Sequence, residues 1–236
     1  MSFKRIDPED FVVSADAVQS TAWSTGDPTL TTFFTSSVQK AGSSGQYYLS
    51  VYQTGSTLSN AAVQFDIIYG DKKGSGSIPF NSGISGKTPS ATMYGSYRSL
   101  VLEDENTDFV FGDGTNTYTS PTFYVLSVER ARYKEKLFPG TFNLTLSGSG
   151  GATGLKSLHL TNNSDSGSYG LFLPELGTIM LNPTALGSIG LNANRTNGTD
   201  GGNEDTICDA LNRAASFQLN SEETITSDYI FVNTKA

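Results

Sequence analysis

The densest group of titratable side chains lies in LVLEDENTDFVFGDGTN, residues 100–116, which holds five carboxylates, four of them between two apolar runs. Acids at alternate positions could ligate calcium, and a helix-flanked calcium loop asks for D-x-[DN]-x-[DN]-G with an acid at its twelfth position. Asp104, Asn106 and Asp108 meet the first three positions, but Phe109 takes the place of the glycine and Thr115 that of the bidentate acid. The spacing predicts a solvated turn, not a metal loop. Nucleophilic chemistry has little more to draw on. His159 is the only histidine, in the alternating stretch LKSLHLT, and Cys208 the only cysteine. No local signature couples them as a thiolate–imidazole pair, and one of each cannot supply the short-spaced ligand pairs of a zinc site. GISGKT, residues 83–88, resembles part of a phosphate loop, yet Asn81 stands where the first glycine belongs. A glycosidase needs only two carboxylates, and nothing marks two among 23 acids. Four Asn-x-Ser/Thr sequons, at Asn143, Asn162, Asn194 and Asn197, read as accidents of a chain rich in these residues. No catalytic, cofactor-binding or metal-binding residue is expected.

The elements that would carry such residues are strands. Charged residues make up 16% of the chain, against roughly 25% in ordinary domains, while 30 Ser and 27 Thr make it rich in hydroxyls. With 25 Gly and 25 Phe plus Tyr, this favours pleated strands with small polar outer faces and many turns. A net charge of -8 opposes a phosphate-backbone partner, which requires a basic face. The one dense basic stretch, ERARYKEKL (Glu129–Leu137), nets only +2. No run approaches the roughly 18 apolar residues of a membrane span. The charged N-terminus MSFKRIDPEDFVV lacks the apolar core of a signal peptide, and the unpaired cysteine does not suggest a disulfide-dependent fold.

Alternation predicts paired strands at Gln46–Tyr52 and Ala61–Tyr69, the latter with Val63, Phe65, Ile67 and Tyr69 on one face. It predicts strands at Thr122–Val128 and Thr141–Ser147, with LFPG (Leu137–Gly140) as a turn between them, and at Tyr169–Leu173 and Thr178–Leu181 around PELG. The stretch LKSLHLTNNS is strand-like, as is the terminal TITSDYIFVN. Thr88 as cap and Pro89 at the first position predict a helix to Leu100. A second helix is expected over Glu204–Ser216, after a loop, Leu191–Asp205, expected to be mobile. The expected fold is mainly β, with antiparallel sandwich-like or irregular layers and one or two short helices. Residues 1–40 are expected to form an extended arm and 41–236 a β domain, with a possible division into subdomains near 148–155. Trp23, Phe33 and Phe34 would either anchor the arm on a neighbour or cover the domain's own core.

Four blocks, GSYRSLVLEDENTDFVFG, VERARYKEKLFPGTFNLTLSG, YGLFLPELGTIMLNP and ASFQLNSEETITSDYIFV, resemble recurring blocks of virion structural proteins of T-even-like myoviruses, especially cyanophages. The resemblance implies a non-enzymatic virion component, of the tail or baseplate, made in the host cytoplasm. Its partners would be other virion proteins, with the chain as a homo-oligomer or in a symmetric multi-copy assembly. On that view Asp104, Glu105 and Asp108 form one side of an inter-subunit contact, and Arg130, Arg132, Lys134 and Lys136 the other. The alternatives are a head decoration or peripheral fibre displaying the 191–205 loop and, less favoured, a tail-associated wall hydrolase.

Overall fold

Alternating apolar and hydroxyl side chains do build strands, and the chain folds as a mainly antiparallel β sandwich. The computed structural model describes residues 11–36, 47–77, 88–102, 104, 107–112, 118–148, 155–158, 163–164, 167–195, 202–213 and 215–230, with backbone alone given between 155 and 168. In chain order the elements are β1 (Phe11–Thr21), β2 (Thr29–Leu30), β3 (Phe34–Thr35), β4 (Leu49–Tyr52), β5 (Val63–Asp71) and helix α1 (Pro89–Leu102). Then come β6 (Phe109–Val110), β7 (Thr119–Ser120), β8 (Thr122–Val128), β9 (Lys136–Ser147), β10 (Leu155–Leu158), β11 (Asn163–Ser164) and β12 (Gly167–Ser168). The chain continues through β13 (Gly170–Leu173), β14 (Thr178–Leu181), α2 (Pro183–Leu186), α3 (Glu204–Leu211) and β15 (Ser216–Ile230). One sheet runs β1-β15-β9-β10 with β2 also on β15, and the other β13-β14-β8-β5-β4-β3.

The main core lies between these sheets. Phe65, Ile67, Tyr124, Leu126 and Ile179 meet Leu137, Leu144, Leu146 and Phe217, and α3 adds Ile207 and Leu211. Each such side chain, fully buried, stabilises by about 1.5–3 kcal/mol. Residues on both sides of 148–155 share this one cluster, so the core is not divided there. The β4–β5 and β13–β14 hairpins pair as their alternation predicts. The second face of the β5–β8 sheet is also apolar. Ile68, Phe123, Val125 and Met180 pack there with Tyr94 of α1 and with Phe109 and Phe111. Gly70 leaves space for this layer, since a Cβ on it would come within 2.6 Å of the Phe123 ring.

The start of α1 differs from expectation. Thr88 Oγ1 donates to Gly74 O at 2.6 Å, and the first turn is capped from outside, Ser90 N donating to Ser77 Oγ at 3.3 Å. Leu137–Gly140 does not form a turn between β8 and β9. It lies inside β9, which belongs to the other sheet. Pro139 and Gly140 mark a bulge, where the register with β15 shifts and Thr141 Oγ1 accepts from Asn220 N at 2.9 Å in place of a ladder carbonyl. Helix α3 ends at Leu211, because the β15 alternation starts at Ser216. The described ends of the 191–205 loop are built into the core: Asn203 is buried, its Oδ1 accepts from Arg195 N at 3.0 Å and its Nδ2 donates to Arg195 O at 2.9 Å. Residues 196–201 lie outside the described residues. Among the described residues no helix is long and apolar enough to cross a membrane.

Candidate assembly interface

Trp23 and Phe33 belong to the protein's own core. The Trp23 ring lies 4.9 Å from that of Phe217, and its Nε1 donates to Phe217 O at 2.9 Å. Phe33 packs edge-on to Phe65. Both are therefore removed from the candidate interface, whereas Phe34 stays exposed at 44%. The expected arm over residues 1–40 shrinks accordingly. Within its described part, only β1 extends away, and it pairs along its whole length with β15 of the same chain, from Phe11 against Ile230 to Thr21 against Asn220.

This pair is the feature that sequence reasoning missed. β15 has β9 on its other side only from Ser216 to Glu222. From Glu223 to Ile230 it has β1 alone among the described residues, so the two strands leave the sandwich as a ribbon. Opposed residues share a face. One face carries Phe11, Val13 and Ile230, the other Val12, Val18, Ile225 and Tyr229, and these seven are 40–55% exposed. Completing their burial would contribute about 1 kcal/mol each. A two-stranded ribbon is marginal in water, and the outer edge of β1, which pairs with no other strand among the described residues, can offer its backbone groups to another chain. The ribbon's charges are all negative: Asp16, Glu222, Glu223 and Asp228, with no Lys or Arg in 11–21 or 220–230. The one signal in the sequence was apolar residues at both parities of FVVSADAV and SDYIFV, more than a strand with one solvated face needs.

The basic stretch holds the foot of this ribbon. Lys134 N donates to Ser221 Oγ at 2.8 Å, Glu135 Oε2 accepts from Thr224 N at 3.0 Å, and Lys136 pairs with Glu222 at 3.2 Å. Arg130 Nη1 donates to Tyr133 O at 2.6 Å and its guanidinium lies over the Tyr133 ring. Arg132 lines a groove of about 190 Å³ with Trp23, Tyr133 and Lys134, and its buried Nε has no hydrogen-bond partner among the described residues.

Of the acidic segment, the structure describes Asp104, Thr107 and Asp108, and Thr107 is tied to α1. Tyr94 OH donates to Thr107 O at 3.0 Å and accepts from Phe109 N at 2.8 Å. Arg98 Nε donates to Thr107 O at 3.0 Å, and its Nη2 donates to Thr107 Oγ1. Asp108 pairs with Lys72 at 3.0 Å, Asp104 is half-buried, and Glu105 lies outside the described residues. Among the described residues no ion pair joins this segment to Arg130, Arg132, Lys134 or Lys136.

Cys208 is buried in the main core, and His159 lies outside the described residues. Among the described residues, no group of three or more His, Cys, Asp or Glu is placed to hold a metal ion. Burial pushes the Tyr94 hydroxyl up to about 12 and raises those of Tyr69, Tyr97 and Tyr124, so all four stay protonated at neutral pH. Compared with known proteins, the chain matches no family model, no curated protein and no solved structure.

Proposed function

We propose that this chain is a non-enzymatic structural subunit of a phage particle, a tail or baseplate component that acts through contacts with other subunits. The placement in a phage rests on the resemblance of the four sequence blocks. The mode of action rests on one observation, the β1–β15 ribbon, whose two faces present apolar side chains outside the sandwich and whose outer edge pairs with no strand among the described residues. Addition of a strand or ribbon to a neighbour is a common way for such groups to be satisfied in an assembly. In the particle the ribbon is covered by a neighbouring virion protein. The chain is made in the host cytoplasm and acts in the virion. Quantitative mass spectrometry of purified particles, with heads separated from tails, tests the placement. Enrichment in tails at a small multiple of three or six copies is expected. Hundreds of copies in heads would make it a capsid decoration, and absence from both fractions would overturn the reading.

A further inference from the structure

We infer that the ribbon docks on a second copy of this chain, head to tail, on the face formed by the 129–136 segment and the turn after β13. The inference rests on the assembly reading above and names the partner. Three observations carry it. First, that face holds an apolar cavity of about 310 Å³ lined by Lys136, Pro139, Leu173, Pro174, Glu175 and Leu176, the last of them 45% exposed. Small-molecule sites place several polar groups to orient a ligand. Here only Lys136 and Glu175 are charged, which suits an apolar anchor such as Phe11 or Tyr229.

Second, the charges complement. The ribbon carries only acids, while Arg132 and Lys134 line the adjoining groove. The two recesses adjoin, because Tyr133, which lines the groove, packs against Gly177 at the end of the 173–177 turn. Third, a ribbon cannot serve its own face. The bonds from Lys134 and Glu135 hold β15 at Ser221 and Thr224, and the strand then runs away for the rest of its length. At about 3.3 Å per residue its tip lies roughly 20 Å beyond that foot. Edge-to-edge pairing of two β1 strands about their midpoint would oppose Asp16 to Asp16, which is unfavourable. A heterologous contact of this kind closes into a ring or propagates as a filament.

The test is light scattering on the purified chain across a dilution series, with two charge reversals: Glu223→Lys with Asp228→Lys on the ribbon, and Arg132→Glu with Lys134→Glu on the face. The ribbon sites are exposed or half-buried, and the exposed Lys134→Glu alone serves if Arg132→Glu perturbs folding. The expected result is an oligomer for the wild type, at least tenfold weaker association for either reversal, and recovery when both reversals are combined in one chain. A wild-type chain that stays monomeric, or an oligomer indifferent to both reversals, would overturn the inference. If such a monomer still enters particles and the ribbon reversal excludes it, self-docking fails while the assembly reading stands. If particles accept every variant equally, both fail.

Discussion

Replacing Tyr94 by Phe isolates one hydroxyl that ties Thr107 and Phe109 to α1. The ring stays, stacked on Phe123 with centroids 5.2 Å apart. Thr107 O keeps its bond from Arg98 Nε at 3.0 Å. What is lost is the hydroxyl that accepts from Phe109 N at 2.8 Å and donates to Ser120 O at 3.4 Å, both on buried residues. A buried donor left without a partner costs about 1–3 kcal/mol, so Tyr94→Phe should destabilise by about 2 kcal/mol. In a chain of this size that lowers Tm by roughly 4–8 °C. Urea unfolding at neutral pH measures it, with an unchanged slope showing that the folded and unfolded states keep their surfaces. A loss below about 0.5 kcal/mol, the range of neutral surface substitutions, would refute the assignment of this hydroxyl as the tie.

Gly177→Ala should destabilise by about 2–3 kcal/mol, because Gly177 has φ +62° and a Cβ there would come within 2.6 Å of Tyr133; thermal unfolding reads this out, and an unchanged Tm contradicts it. Alkaline pH should unfold the protein. Buried Tyr69, Tyr94 and Tyr124 and half-buried Tyr97 bind their protons more tightly in the folded state, so their contribution is full below the ordinary phenol value of 10.0 and is lost as pH rises through the raised values. The urea midpoint should hold from neutral pH to about pH 9 and fall above about pH 10, and a midpoint unchanged across this window argues against the burial. Burial also raises the Asp66 carboxyl, opposed by a hydrogen bond from Ser50 and reinforced by Glu129. Asp66→Asn should therefore raise the urea midpoint at neutral pH, and the gain should vanish as pH falls through the raised value, where Asp66 is itself neutral. A gain that persists in acid would point to packing instead of charge.

Much of the sandwich was legible because its strands alternate. Thr122–Val128 is a strand with the predicted bounds, and Phe65, Ile67 and Tyr69 share the predicted core face. Local patterns failed where distant partners decide. Leu137–Gly140 has turn composition, but pairing with β15 turns it into a bulge. Asn203, Glu204 and Asp205 read as loop and helix-start polar groups, yet all three are buried. Of the interface candidates, Trp23 and Phe33 are core because β15 brings Phe217 beneath Trp23 and β5 brings Phe65 beside both. The ribbon joins residues some 200 positions apart, from Phe11 with Ile230 to Thr21 with Asn220. No short window of sequence contains that pairing.

The central claim is that the ribbon is the assembly surface, and incorporation of ribbon variants into particles tests it most directly. Val13→Lys and Ile225→Lys place a charge on each face at side chains that are 55% and 44% exposed, so the isolated subunit should unfold at nearly the wild-type temperature. Supplied in place of the wild-type chain during infection, each should be depleted from purified particles at least tenfold. Incorporation at the wild-type level, by a variant of unaltered stability, would contradict the account.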